Sequence, residues 1–292
     1  MSTPTEFNYS SEDGTQITAY RWDPAEQPVG VVQITHGMGE HVRRYDELAQ
    51  ALNARGLVVF GQDHRGHGAT AAGPDQLGQL GDNGWVQLVG DIGRLTDVVR
   101  AEHPDLPLLL LGHSMGSFAT QQYLIDHSDR VDAAALTGTA AIDLLEPAIN
   151  LDEEVDLTAF NAAFQPPRTE FDWLSRDEAQ VDAYVADPLC GFGLDPANGK
   201  AMFVGARRVA DPAELARVRS DLPLYIAVGE ADPVNGGSAL LDPLVQRYKE
   251  AGLGDITVTV YPAARHEIFN ETNREEVIAD LINWLTPALK LA

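Results

Sequence analysis

The sequence contains a single cysteine, Cys190, among 292 residues. An internal disulfide therefore cannot form, and a zinc site built from several cysteines is excluded. Basic residues are also scarce, because 20 Lys and Arg stand against 44 Asp and Glu and leave a formal net charge of -24. Nucleic acids and anionic lipid surfaces bind to basic faces, so the composition argues against both as partners. We attribute the acidity to solubility.

Long apolar runs are missing as well. No stretch of the chain approaches the roughly 20 apolar residues that a membrane-spanning helix needs. The first 14 residues, MSTPTEFNYSSEDG, contain no basic segment followed by an apolar one, so no signal peptide is expected. The sequence therefore predicts a soluble, cytoplasmic protein.

The most informative stretch is LPLLLLGHSMGS at residues 106–117. Its four consecutive leucines are typical of a short strand buried on both faces, and a helix is predicted from Ser117 to His127. Between them lies Gly-His-Ser-Met-Gly, and a Gly-x-Ser-x-Gly turn between a strand and a helix is typical of a nucleophile elbow. The two glycines leave room for a turn that lifts Ser114 Oγ clear of the sheet.

Strands and helices alternate along most of the chain. Strands are predicted at 16–22, 29–35, 57–60, the leucines 108–111, 131–136, 224–228 and 256–261. Helices are predicted at 45–55, 84–102, 117–127, 238–251 and 274–285. This alternation predicts an α/β protein with a mostly parallel, doubly wound sheet and helices on both faces.

The alternation is interrupted after Thr137. The residues from 141 to 220 contain no buried-strand run, but they do contain helix-start signals. Ser175 with Glu178 resembles a capping box, and Asp195 and Asp211 each precede a proline that suits the first helical position. We therefore expect a helical insertion that covers the strand ends.

The insertion divides the chain into three parts. Residues 1–138 and 221–292 are predicted to form the α/β core, and residues 139–220 are predicted to form the helical lid. The inner face of a helical lid must bury something, and a pocket for an acyl or aryl group is the expected partner. The residues predicted to line that pocket are Phe160, Phe164, Trp173, Tyr184, Leu189 and Phe192.

Three polar residues follow predicted strands and should meet at the carboxyl edge of the sheet, where sites in open α/β sheets form. Ser114 is the expected nucleophile, and His266 is the expected base that takes its proton. Asp232 is expected to orient the imidazole, with Glu230 on the same strand end as the alternative. The order Ser, Asp, His is that of the α/β-hydrolases.

An oxyanion hole needs two backbone N–H groups. The first is expected from Met115, at the start of the helix behind the nucleophile. The second is expected from Met38, because its loop follows the strand at 29–35 and carries glycines at 37 and 39 that allow a close approach.

These motifs, taken together, resemble the monoacylglycerol lipase and lysophospholipase-like group of α/β-hydrolases, also called the serine aminopeptidase-type hydrolase family. The matching segments are HGMGEHVRRYDELAQAL at 36–52, DHRGHG at 63–68, GHSMGS at 112–117, GEADPV at 229–234 and HEIFNE at 266–271, with a weaker match at 173–192.

The resemblance implies a serine esterase or lipase with a mobile, mainly helical lid and no cofactor. It places the catalytic residues on Ser114, Asp232 and His266, and the oxyanion donors on Met38 and Met115. It also implies a polar pair of Glu40 and Arg44 beside the triad. Met38 stands where monoacylglycerol lipases often carry a smaller residue, so a narrower pocket is expected.

The expected activity is hydrolysis of a small monoester such as a monoacylglycerol, with transient contact to lipid interfaces and the oligomeric state left open. Monoesters of aromatic acids are one alternative. Amides or peptides are another, for which Glu153, Glu154 and Asp156 could supply a carboxylate cluster. Epoxide hydrolase chemistry is disfavoured because it uses an aspartate nucleophile. A non-catalytic binding protein is disfavoured because no triad member is missing.

A metal site is not expected. His36, His64 and His67 could be combined with Asp63 as ligands, but histidines that pack and form hydrogen bonds around glycine turns are the favoured interpretation.

Overall fold

The computed structural model describes residues 3–291, which are organised around one eight-stranded sheet. Along the chain the strands are β1 (Thr5–Ser10), β2 (Gln16–Trp22), β3 (Gly30–Thr35), β4 (Leu57–Gln62), β5 (Leu108–His113), β6 (Ala133–Thr137), β7 (Leu224–Gly229) and β8 (Ile256–Tyr261). Their order across the sheet is β1-β2-β4-β3-β5-β6-β7-β8. The pairs β1–β2 and β2–β4 are antiparallel and all the others are parallel. The predicted mostly parallel sheet is confirmed.

Helices cover both faces of this sheet. They are α1 (Asp46–Asn53), α2 (Gly84–Glu102), α3 (Met115–His127), α4 (Glu178–Ala186), α5 (Pro196–Ala210), α6 (Pro212–Leu215), α7 (Leu241–Glu250) and α8 (Arg274–Ala288). Leu108 and Leu110 of β5 pack in the same core as α2, α3 and α7, whereas Leu109 and Leu111 pack with α1 and α8. Because β5 is buried on both faces, its sequence shows no polar alternation. Within residues 3–291, no helix is both long enough and apolar enough to cross a bilayer.

The predicted core elements agree closely with the structure. The bounds of β2, α2 and β8 are those predicted, and the other core elements differ by a few residues at their ends. The strand that the sequence did not predict is β1, at the sheet edge. Its residues alternate between exposed and half-buried, and it pairs with β2 with Phe7 opposite Ala19.

The insertion, residues 139–220, lies between β6 and β7. In the part of the chain that the structure describes, this region contains helices and short turns but no strand. Asp195 and Asp211 cap α5 and α6 as predicted, each accepting backbone N–H groups of the first turn.

The predicted capping box in the insertion is wrong. The N-cap of α4 is Asp177, whose carboxylate accepts the backbone N–H of Ala179. Ser175 Oγ instead donates to the backbone oxygen of Asn270 at 2.8 Å and accepts the N–H of Asp177 at 2.9 Å. The Ser175 hydroxyl, which the local sequence predicted to cap α4, is therefore used in a tertiary contact instead.

Candidate active site

Ser114 occupies the sharp turn between β5 and α3. Its backbone has φ 53° and ψ -124°, a conformation that is strained for a residue with a side chain. A Cβ at Gly112 would lie 2.5 Å from Thr120 Oγ1, and one at Gly116 would lie 2.2 Å from the backbone oxygen of Thr35. Both glycines are therefore required for the turn to pack against β3 and α3.

His266 and Asp232 come together from the loops after β8 and β7. His266 Nδ1 lies 3.0 Å from Asp232 Oδ2, and both side chains are buried. A Cβ at Gly229 would lie 2.2 Å from the backbone oxygens of Ala264 and Arg265, so this glycine allows the two loops to touch. Glu230, the alternative to Asp232, points away and accepts the exposed N–H of Ala263.

Ser114 and His266 line one small cavity of about 20 Å³. Its walls are formed by Gly37, Met38, Glu40, His113, Ser114, Leu157, Trp173, Leu174, Tyr184, His266 and Glu267. No hydrogen bond joins the Ser114 hydroxyl to the His266 imidazole among the described residues. Catalytic hydrogen bonds are often long before substrate binds, and the serine has one freely rotating bond with which to close the gap.

Two backbone N–H groups are available beside Ser114. Within residues 3–291, the N–H groups of Met38 and Met115 are bonded to no acceptor. Met115 is the first residue of α3, where N–H groups are free and the helix dipole favours negative charge. The loop of Met38 is fixed next to it, because the Gly37 N–H donates to Glu40 Oε1 at 2.6 Å.

The predicted pocket residues divide into two groups. Trp173 and Tyr184 line the cavity, and the Trp173 ring lies 4.8 Å from the His266 ring. Phe160 packs behind Trp173, Phe164 lies under the guanidinium of Arg265, and Phe192 packs against His67.

Leu189 does not line the cavity, and its side chain is 36% exposed at the surface after α4. Leu157 and Leu174 line the cavity instead. Leu174 could have been predicted to line the cavity because it is adjacent to Trp173. No feature of the local sequence indicates that Leu157 does so.

A buried charge network forms another wall of the cavity. Arg44 donates to Glu40 at 2.9 Å and also to both oxygens of Glu267, from Nη1 to Oε1 at 2.5 Å and from Nη2 to Oε2 at 2.7 Å. The pair of Glu40 and Arg44 was expected, whereas Glu267 was missed. Burial raises the pKa of Glu40. Burial also opposes ionisation of Glu267, but the Arg44 guanidinium outweighs it and lowers the pKa of that carboxyl.

The imidazoles of His36 and His67 bond backbone groups, whereas Nδ1 of His64 faces the Gln62 side-chain amide at 3.4 Å. His36 Nε2 accepts the N–H of His64 at 3.0 Å, and His67 Nδ1 faces the backbone oxygen of Arg65 at 3.0 Å. Asp63 accepts the N–H groups of Val42 and Ala69. Burial lowers the pKa of His64 to about 3 and that of His67 to about 4. These residues order the loops around the site.

Donor atoms of His41, Asp187 and Cys190 lie within 4.8 Å of one another. His41 Nε2 and Asp187 Oδ2 are already bonded to each other at 2.9 Å, which accounts for their proximity. Burial raises the pKa of the Cys190 thiol well above its usual range, so the thiolate needed for metal binding is disfavoured.

The protonation state of His266 predicts how ester hydrolysis should depend on pH. Burial favours the neutral imidazole, but the Asp232 carboxylate outweighs it and raises the pKa of His266 above 6.5. The other ionisable groups around the ring are His113, Glu267 and Glu40. A base must be neutral, so kcat/KM for an uncharged p-nitrophenyl ester should fall about tenfold per pH unit below an inflection above pH 6.5. An inflection below pH 6 would contradict this assignment.

With this geometry established, comparison with known proteins becomes informative. The family model described as "Serine aminopeptidase, S33" matches residues 26–273. The chain belongs to this family. A monoacylglycerol lipase of Mycolicibacterium smegmatis is 31% identical over 99% of this chain and 99% of its own length. A monoglyceride lipase of Mus musculus is 28% identical over 96% of this chain and 90% of its own length.

A solved structure is similar over nearly the whole chain. A thermostable carboxyl esterase from Bacillus coagulans, solved in complex with glycerol, has a TM-score of 0.82 and 30% identity, covering 99% of this chain and 100% of that chain. The predicted family, the α/β-hydrolase fold and the hydrolase class are thereby confirmed.

Proposed function

We propose that this family member is a serine hydrolase of carboxylic esters and that it acts on monoacylglycerols or similar small lipid monoesters. The observation that supports it most is that Ser114 and an Asp232-bonded His266 face one cavity, with two free N–H groups beside the serine. The names of the mycobacterial and mouse relatives support the substrate class.

The proposed reaction proceeds through an acyl-enzyme. Ser114 Oγ attacks the ester carbonyl carbon while His266 Nε2 takes the hydroxyl proton. The N–H groups of Met38 and Met115 stabilise the oxyanion. As the intermediate collapses, His266 gives its proton to the leaving alcohol. A water molecule then attacks the acyl carbon while His266 takes its proton. The bond between the acyl carbon and Ser114 Oγ breaks, His266 returns the proton to Oγ, and the fatty acid leaves while Asp232 keeps the imidazole oriented.

The walls of the cavity match the two ends of a monoacylglycerol. Glu40 and Glu267 provide acceptors on one side, suited to the hydroxyl groups of a polyol. Met38, Leu157 and Leu174 provide apolar surface suited to an acyl chain. We assign the alcohol hydroxyls to contacts with the two carboxylates and the acyl chain to contacts with the apolar side chains.

The insertion is proposed to act as a lid. A space of about 20 Å³ holds about one water molecule, so a monoacylglycerol enters only if the insertion moves. Exposed apolar side chains of the insertion, among them Leu144, Val185 and Leu189, are available for transient contact with a lipid interface. A cytoplasmic location remains a prediction.

The peptidase alternative has less support. An α-amino substrate needs an available carboxylate close to the nucleophile, but Glu153, Glu154 and Asp156 are exposed and none of them lines the cavity. Glu40 and Glu267 do line it, but both are already paired with Arg44. Ester hydrolysis is therefore the assignment that we propose, rather than cleavage of aminoacyl amides.

A labelling experiment and a substrate panel test the proposal. A fluorophosphonate should modify the wild-type enzyme once, and peptide mass spectrometry should locate the adduct on Ser114. In a panel of monoacylglycerols, p-nitrophenyl esters, monoalkyl phthalates and aminoacyl amides, kcat/KM should be at least about tenfold higher for monoacylglycerols than for phthalates or amides, a discrimination of about 1.4 kcal/mol. Lack of labelling would overturn the serine assignment, and preference for amides would overturn the substrate class.

A further inference from the structure

Glu271 is a fully buried carboxylate that lies five residues after His266. Its Oε1 accepts the backbone N–H of Arg265 at 2.8 Å and that of Arg176 at 3.1 Å. Its Oε2 accepts Arg176 Nε at 2.8 Å and the N–H of Thr272 at 2.8 Å. The Glu271 carboxylate therefore links Arg265, which precedes His266, to Arg176 of the insertion.

The insertion and the histidine loop are also joined by their backbones. The N–H of Glu267 donates to the backbone oxygen of Leu174 at 2.8 Å, and that of His266 donates to Trp173 O at 3.4 Å. Arg265 Nη1 donates to the backbone oxygens of Asp172 and Ser175. We call residues 172–176 the anchor segment, because these bonds attach it to the loop that carries His266.

The anchor segment places Trp173 against the His266 imidazole. The two ring centroids are 4.8 Å apart, and His113 lies against the same imidazole at 4.8 Å. Gly138 also lies close to the ring, since a Cβ at this position would be 2.8 Å from His266 Cε1. The imidazole is thus confined to a narrow slot, one wall of which is held by the anchor segment.

The next helix of the insertion, α4, contacts the core differently. Gly191 N donates to Gly39 O at 3.0 Å, His41 bonds Asp187, and Arg44 lies over the Tyr184 ring. The contacts of Asp187 and Gly191, in the turn after α4, reach the oxyanion loop, and none of the three contacts is made to Arg265 or His266, although Arg44 is also bonded to Glu267. Movement of α4 therefore need not displace His266, provided that the anchor segment stays in place.

We propose that Glu271 is a positioning residue for His266, which it holds in register with Asp232 and Ser114 by fixing the anchor segment to the histidine loop while the rest of the insertion opens. The proposal rests on the proposed function, in which His266 is the base. Glu271 does not contact the cavity, so it acts through His266 and not on substrate.

The test compares E271Q with E275Q, using p-nitrophenyl ester hydrolysis. Five hydrogen bonds reach the Glu271 carboxylate, the fifth from Thr272 Oγ1 at 3.3 Å. A glutamine at 271 has one acceptor oxygen, and its NH₂ would face donors, so at least two of these bonds are lost. Glu275 lies four residues further on and is exposed, so E275Q makes the same chemical change without that loss. We expect kcat of E271Q to fall about 10- to 100-fold with KM changed less than about twofold, as for a misplaced catalytic group. E275Q should match the wild type.

Two further readouts separate positioning from simple loss of stability. A weakened contact with Asp232 should lower the pKa of His266, so the acid limb of kcat/KM should move to lower pH in E271Q. Fluorophosphonate labelling of the folded fraction should slow by the same factor as kcat. If E271Q fails to fold, R176Q removes only the guanidinium contacts of the anchor segment, and a fall of about three- to tenfold in kcat is expected.

The results that would contradict the positioning role of Glu271 differ from those that would contradict the proposed function. Folded E271Q, or folded R176Q, with wild-type kcat and an unmoved acid limb would overturn the positioning role and leave the triad assignment intact. A wild-type enzyme that no fluorophosphonate labels would overturn the triad itself. Hydrogen exchange should also show peptides of 172–176 protected when lipid micelles increase exchange in 178–186, and equal increases in both would contradict a fixed anchor segment.

Discussion

Replacing Ser114 with alanine is expected to lower kcat for ester hydrolysis by about a million-fold, because the nucleophile and its base act as one unit. The turn itself should survive, since alanine has a Cβ in the same place and the strained φ of 53° is imposed by the packing of Gly112 and Gly116. The measurement is kcat on a p-nitrophenyl ester, with fluorophosphonate labelling as a second readout. The control is S10A, an exposed serine on β1, which should behave like the wild type. An S114A protein with more than about 1% of wild-type kcat would contradict the nucleophile assignment.

Replacing Asp232 with asparagine is expected to lower kcat by about a thousand- to ten-thousand-fold. The asparagine NH₂ would face His266 Nδ1, which favours the tautomer with the proton on Nε2, and that nitrogen can then no longer accept the serine proton. The asparagine also lacks the charge that stabilises the imidazolium.

E230Q is the matched control, since Glu230 follows the same strand but is exposed and bonded to Ala263. It should retain wild-type kcat within about twofold, whereas D232N should not. The pair is measured by steady-state kinetics with thermal unfolding as the check on folding. A large loss in E230Q with little in D232N would reverse the assignment of the acid.

Much of the core was predictable because a strand that is buried on both faces has a nearly continuous apolar sequence. The leucines of β5 and the mostly apolar β3 pack against helices on either side, so apolar residues dominate both strands and make them visible as runs. The buried Gln33 of β3 is accommodated by a hydrogen bond to the backbone oxygen of Ile92. β1 was missed for the opposite reason. As an edge strand it has exposed polar residues at four of its six positions, and Phe7 and Tyr9 alone form too short an alternation to distinguish a strand from a loop. Its pairing with β2 is visible only in the fold.

The candidate site was predictable where a residue follows a strand, and not where its role depends on distant contacts. Ser114, Asp232 and His266 all lie just after strand ends, which the sequence reveals. Glu267 and Glu271 carry no comparable local signal, because their partners Arg44 and Arg176 lie 223 and 95 positions away. Buried carboxylates of this kind are recognised only once the fold has brought their counter-charges together.

The size of the cavity beside Ser114 has a consequence for how selectivity should be studied. With about 20 Å³ of space, the cavity that the described residues form beside Ser114 is too small to hold a fatty acyl chain. Acyl chains are therefore discriminated by an open conformer of higher free energy. The free energy needed to reach this conformer is the same for every substrate. Ratios of kcat/KM between chain lengths cancel that shared cost, whereas a single turnover number includes it.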